Sequence, residues 1–212
     1  MKVLTTLTLI NICTTLSAQK NKQPWSEYTV HDTKRPHPAK IEVKDFVSLP
    51  APADAHVIFD GKNTNALTKA WQVSDGIMTA TNKGDNQTKQ SFGDCQIHLE
   101  WRIPKGRKVN GQQGGNSGIF IMNQYEIQIQ ESHTNVTYAD GQASAIYGQT
   151  PPIINPARPQ GEWQSYDISF KAPVYKDGKL VTQAYVTVIF NGIVVHNNQV
   201  LYGPTKHKVV TS

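Results

Sequence analysis

The chain has 212 residues, of which 38% are hydrophobic and 17% charged, with 15 Gly and 12 Pro. That is enough apolar material for a buried core, which excludes wholesale disorder. The net charge of +5 is scattered without a run of four Lys or Arg, so a concentrated nucleic-acid-reading surface is excluded as well. Two cysteines, Cys13 and Cys95, cannot build a disulfide framework.

In chain order, the first predicted element is an export signal. Lys2 gives a short positive start, Val3 to Leu16 is mostly apolar or Thr, and Ser17-Ala18 offers small residues before Gln19. Cleavage is expected after Ala18, so residues 1–18 leave and the mature chain is periplasmic or secreted. Cys13 follows Ile10-Asn11-Ile12 rather than small residues, so lipidation is not expected. The apolar run is too short to span a bilayer stably, and no second hydrophobic span follows.

Residues 19–53 carry Pro24, Pro36, Pro38, Pro50 and Pro52 and little periodicity. Proline removes backbone donors and fixes φ, so this segment is expected to be an extended arm rather than a packed element. Residues 54–212 read as short strands separated by turns. Ser74-Asp75-Gly76 marks a hairpin. Cys95 to Ile103 alternates, with Cys95, Ile97, Leu99, Trp101 and Ile103 opposed to Gln96, His98, Glu100 and Arg102. A Gly-rich loop, Gly111 to Gly118, follows; it lacks the lysine of a phosphate-binding loop. Tyr125, Ile127 and Ile129 alternate with Glu126, Gln128 and Gln130, and Tyr166, Ile168 and Phe170 mark another strand. Ala184 to Phe190 runs through Asn191-Gly192 into Ile193 and Val195, a strong hairpin signal. No stretch has helical periodicity. The expectation is all-β, an antiparallel two-sheet sandwich.

Two polar strand faces could carry chemistry: His98, Glu100 and Arg102 on one, Glu126, Gln128 and Gln130 on the other. Carboxylates beside amides, a guanidinium and aromatics suit the gripping and cleavage of a sugar. The same alternation also fits strand residues that merely face solvent. There is no His-x-x-x-His or Cys-x-x-Cys spacing for a structural metal and no Gly-x-Ser-x-Gly elbow for a serine hydrolase.

Six short motifs occur in order: Val57-Ile-Phe-Asp-Gly-Lys62, Gly115-Asn-Ser-Gly118, Tyr125-Glu-Ile-Gln128, Ala145-Ile-Tyr-Gly148, Gly161-Glu-Trp163 and Ile189-Phe-Asn-Gly192. Together they resemble the 3-keto-disaccharide hydrolase family, and Arg35-Pro-His-Pro38 resembles a leader that some members carry. The resemblance implies a concanavalin-like jelly-roll and work on glycosides already oxidised at the sugar C3 by a separate dehydrogenase. A C3 ketone acidifies the C2 proton, so a base, an enolate stabiliser and an acid for the leaving oxygen are needed. By the resemblance, Glu100 or Glu126 is the base, Arg102 or a bound divalent cation stabilises the enolate, and Tyr147 is the leaving-group donor. Asn116, Gln128, Glu131 and Trp163 would position the sugar, Trp163 by stacking. Glu131 stands where many relatives have aspartate, and alternation places it opposite Glu126. Relatives continue past the Gly203-Pro204 region into a Gln-Asp-His-Gly stretch and a final strand. This sequence stops at Ser212, so that strand is expected to be lacking, and His207 does not match the relatives' histidine. The competing expectation is a non-catalytic carbohydrate-binding module.

Overall fold

The computed structural model describes residues 22–80 and 84–210. The expected export signal, with Cys13 and the cleavage point, lies outside them. The described chain is all-β, with no α-helix among the described residues. Its strands are β1 (Ala39–Lys40), β2 (Gln72–Ser74), β3 (Ile77–Thr79), β4 (Cys95–Trp101), β5 (Ser117–Ile121) and β6 (Tyr125–Ile129). There follow β7 (Ile154–Asn155), β8 (Gln164–Lys171), β9 (Val174–Lys176), β10 (Lys179–Thr182), β11 (Ala184–Phe190) and β12 (Ile193–Leu201). Single 3-10 turns occur at Gly111–Gln113 and Ala139–Gly141.

The chain divides into two compact units, Val47–Gly93 and the residues on either side of it. The smaller unit holds the antiparallel β2–β3 hairpin, turned at Asp75 (φ 52) and Gly76 (φ 76). Positive φ at both turn residues matches the right-handed twist of the strands, which is why Asp-Gly marks such turns.

The larger unit is built on an antiparallel sheet in the order β12-β11-β8-β4. Strict alternation along β8 and β11 buries Tyr166, Ile168, Phe170, Val186, Val188 and Phe190 on one face. The β5–β6 ribbon contributes Ile121, Tyr125, Ile127 and Ile129 to the same core. At its centre the Tyr166 ring meets Phe190 at 4.9 Å and Trp101 at 5.4 Å, both edge to face. The Tyr166 hydroxyl donates to the Gln128 carbonyl at 2.7 Å and so ties the sheet to β6. A buried Tyr needs such a partner, because an unpaired hydroxyl in a core costs about 1–3 kcal/mol. The β11–β12 hairpin turns at Asn191 (φ 50) and Gly192 (φ 81), as the sequence indicates.

Two sequence expectations need correction. The Pro-rich segment is irregular, but residues 22–41 are packed. Gln23 and Val30 are buried, Gln23 Nε2 donates to the Gly148 carbonyl at 2.7 Å, and Trp25 stacks on Tyr202 at 4.3 Å. β1 pairs in parallel with β7. Proline forbids a central strand but not side-chain packing. The Gly-rich segment is also not wholly loop, since Ser117 and Gly118 already belong to β5.

Candidate active site

Every residue of β6 is buried, whichever face it points to. Tyr125, Ile127 and Ile129 face the core. The other face carries Glu126, Gln128 and Gln130, and Ala139 to Gln149, each itself buried, packs against β6. A buried loop must satisfy its own backbone. Here it does so by running beside β6: Ser144 N donates to Gln128 O (2.8 Å), Gln128 N to Ala145 O (3.0 Å) and Tyr147 N to Glu126 O (3.1 Å). The Ala145–Gly148 motif is therefore an added edge beside the Tyr125–Gln128 motif.

Two glycines of the Gly-rich segment, Gly114 and Gly118, make room for side chains. A Cβ at Gly118 would stand 2.4 Å from Glu126 Oε1 and 2.6 Å from its Cγ, so only glycine lets that carboxylate lie across β5. At Gly114 a Cβ would collide with Asn135 Nδ2 and Gln130 Nε2, at 2.6 and 2.7 Å. Gln112 reaches in from the first 3-10 turn, accepting from Gln128 Nε2 at 3.0 Å and donating to the Gly141 carbonyl at 2.9 Å. Exposed Asn116 donates to the same Gln112 oxygen at 3.4 Å. Gln128 Oε1 is buried without a protein partner, an acceptor left open within this face.

Two tyrosines and a histidine form a hydrogen-bonded chain beside Glu126. The Tyr138 and Tyr147 hydroxyls are 2.7 Å apart, and Tyr147 Oη lies 2.8 Å from His207 Nδ1. Burial raises the Tyr147 pKa, and the Glu126 and Asp140 charges add to it against the opposing Tyr138 hydrogen bond. Tyr138 is raised further, by burial and by donating to Tyr147. Partial burial, then the neighbouring His31 and Lys208, push His207 down. A neutral His207 leaves Nδ1 free to accept the Tyr147 proton in this bond. The N-terminal segment closes the group: His31 N and Nδ1 reach the fully buried Asp140 carboxylate at 2.9 and 3.2 Å.

The structure separates the candidates that the sequence grouped. Glu100 lies on β4 with Leu99 and Trp101 turned to the core, so it projects from the opposite face of the four-stranded sheet. Glu126 projects from the outer face of β6, on the far side of that core. Glu100 therefore shares its surroundings with His98 and Asp167: Glu100 Oε1 lies 3.6 Å from His98 Nε2, and Asp167 Oδ1 lies 2.6 Å from His98 Nδ1. Arg102 is exposed and stacks on Trp163 with its guanidinium 4.8 Å from the ring centre, so these two keep company with each other and not with Glu126. Glu131 is buried and caps a turn, accepting from the backbone N–H groups of His133 (2.9 Å), Thr134 (3.1 Å) and Asn135 (2.7 Å). What the structure does bring together is Glu126, Gln128 and Tyr147, with Asn116 linked to them through Gln112. Sequence reasoning missed Tyr138, Asp140, His31 and Gln112 because they sit in irregular segments where periodicity carries no signal. Among the described residues, no group of three or more His, Cys, Asp or Glu is arranged to hold a metal ion.

A buried carboxylate beside tyrosine hydroxyls sets a proton acceptor and proton donors side by side. A Parabacteroides distasonis protein named as a proposed glycosyl hydrolase, with a crystal structure at 2.13 Å, is 44% identical with a TM-score of 0.71, covering 74% of this chain and 70% of that one. The chain belongs to the family of the 3-keto-alpha-glucoside-1,2-lyase-like domain, which matches residues 54–210. It is also 24% identical over 173 residues to a Bacteroides thetaiotaomicron protein named 3-keto-disaccharide hydrolase, covering 61% of this chain and 57% of that relative. The chain thus spans little more than half of that relative's length.

Proposed function

We propose that this protein is an exported enzyme, periplasmic or secreted, that cleaves 3-keto-glycosides or 3-keto-disaccharides by elimination followed by hydration. The observation that carries the reading is the Glu126 carboxylate laid over Gly118 beside Tyr147, where three of the family's motifs meet. Glu126 takes the C2 proton, which the C3 ketone has acidified. The C1–oxygen bond breaks as the C1–C2 double bond forms, and the leaving oxygen takes the Tyr147 proton. Water then adds: its hydroxide goes to C1, its proton restores Tyr147, and Glu126 returns its proton to C2. The net change is hydrolysis. A tyrosine whose pKa is held high keeps its proton until a developing alkoxide calls for it. Asn116 and the open Gln128 oxygen are the groups placed to hold sugar hydroxyls or an ordered water. The substrate must come from a dehydrogenase that oxidises sugars at C3. We also assign the fold to the concanavalin-like jelly-roll; the four-stranded sheet and the β5–β6 ribbon sharing one core support it.

The test is incubation with a 3-keto-glucoside and 3-keto-trehalose, beside the parent sugars, with product followed by chromatography. Cleavage of the keto forms alone is expected. Binding without turnover would replace this reading with a carbohydrate-binding module, and equal cleavage of the parent sugars would overturn the ketone-dependent chemistry.

A further inference from the structure

His31 has φ 60, a left-handed conformation that is uncommon for a residue with a side chain. Such strain persists where surrounding bonds over-determine it. Here one buried carboxylate holds both the backbone N–H and the ring of His31: Asp140 Oδ2 accepts from N at 2.9 Å, and Oδ1 lies 3.2 Å from Nδ1. With Nδ1–H turned to Asp140, Nε2 is the acceptor, and the Lys208 N–H approaches it at 3.4 Å. The imidazole lies flat on Tyr138 at 3.8 Å, with Tyr147 and His207 each at 5.1 Å. One ring therefore abuts all three members of the hydroxyl chain. The charged and titratable groups around it are Asp140, Tyr138, Tyr147, His207 and Lys208, the last acting on His207, with Arg35 close enough to Asp140, and Glu126 close enough to the tyrosines, to act on them electrostatically.

We propose that His31, anchored by Asp140, is a positioning residue that holds Tyr138, Tyr147 and His207 in register, so that the N-terminal segment is a working part of the site. The role assigned to Tyr147 rests on the proposed function above. The arrangement follows the familiar logic of a carboxylate fixing a histidine tautomer, applied here to orient tyrosine hydroxyls.

His31→Asn is the informative variant, because asparagine tolerates φ near +60 and can still donate to Asp140. It should keep the parent's melting temperature within a few degrees while kcat on a 3-keto-glucoside falls about tenfold with little change in KM. His31→Ala should lose at least as much turnover and also some stability. The second readout needs no substrate. Without the His31 ring, the His207 titration followed by imidazole NMR should move up toward the ordinary histidine value, and the acid limb of kcat should move to higher pH with it. An unchanged His207 titration in a folded His31→Asn protein would overturn the proposal, as would a parental kcat with an unmoved acid limb. If the parent protein turns over no 3-keto-glycoside, the proposed function fails, and the NMR titration alone decides whether His31 governs this chain.

Discussion

The outer face of β4 and the outer face of β6 are written in the same alphabet and end in opposite environments. On β4, His98 and Glu100 stand beside Asp167 of β8 with the imidazole 40% exposed. On β6 and just beyond it, Glu126 is 9% exposed and Gln128 and Gln130 not at all, with Gly141 and Gln112 closing on Gln128 and Gly111 and Gly114 closing on Gln130. The difference is one of desolvation. A carboxylate in water is screened and solvated, whereas a buried one feels each neighbouring hydroxyl and charge at lower dielectric. Only the second face can tune a proton transfer strongly.

The sharpest way to break this comparison is to remove each carboxylate in turn. Glu126→Gln should cut turnover of a 3-keto-glucoside by about 10²–10⁴-fold, the usual cost of losing a general base. Glu100→Gln should stay within about twofold, as solvent-facing substitutions generally do. Equal losses in steady-state kinetics would erase the distinction between the faces.

Acid should strike the covered region next hardest. His196 is 2% exposed and its Nε2–H donates to Ser144 O at 2.9 Å, a bond that anchors the run 139–149 to β12. Burial, only partly offset by that carbonyl, lowers its pKa to about 4. The unfolded chain then binds a proton that the folded chain refuses between about pH 6.5 and pH 4. Stability is full above that window and falls through it, by roughly 3 kcal/mol at most. Urea unfolding across this range should show the parent losing more stability than His196→Gln, and matching slopes would remove His196 from the account.

Gly118→Ala gives a smaller effect aimed at geometry. The added methyl must displace the Glu126 side chain that stands 2.4 Å away, and misplacing a base should lower turnover about tenfold. A crystal structure showing Glu126 moved, with kinetics unchanged, would separate its position from the reaction. The weakest expectation concerns the open face. Partial burial disfavours a charged His98, but Asp167 and Glu100 outweigh it and raise its pKa. The stabilisation is present below about pH 6.5 and is lost as pH rises through the folded value. It should be under about 1 kcal/mol, because the group is exposed. His98→Asn should lower the melting temperature slightly at pH 6 and not at pH 9.

These two faces also mark where sequence reading succeeds and stops. Alternation correctly put Trp101 and Ile127 in the core, and Asp75-Gly76 and Asn191-Gly192 correctly marked hairpins, because both signals are local. Asp177-Gly178, with φ 50 and 72 in the β9–β10 hairpin, carried the same signal and went unread. Nothing local distinguishes Glu100 from Glu126. The segments around Glu126, Gly118 on β5 and the irregular run 139–149, are held by contacts remote in sequence such as His196 to Ser144. Glu131 shows the same limit: its carboxylate turns onto the backbone of His133, Thr134 and Asn135, which strand alternation cannot foresee. The Pro-rich segment was legible as irregular, but its fit against Gly148 and Asp140 was not.

The bonds that complete the site join residues very far apart along the chain. Gln23 meets Gly148 across 125 positions, His31 meets Asp140 across 109, and Lys208 meets His31 across 177. Closing loops of that size costs chain entropy before any contact repays it, so structures built on them form slowly. The hairpins can pair early, while the Tyr138–Tyr147–His207 chain must wait for segments from opposite ends of the polypeptide. A chain still emerging, or one nicked just after His31, would therefore carry a nearly finished β-scaffold with an unfinished Tyr138–Tyr147–His207 cluster. By this order of assembly, the Tyr138–Tyr147–His207 chain is expected among the last contacts to form.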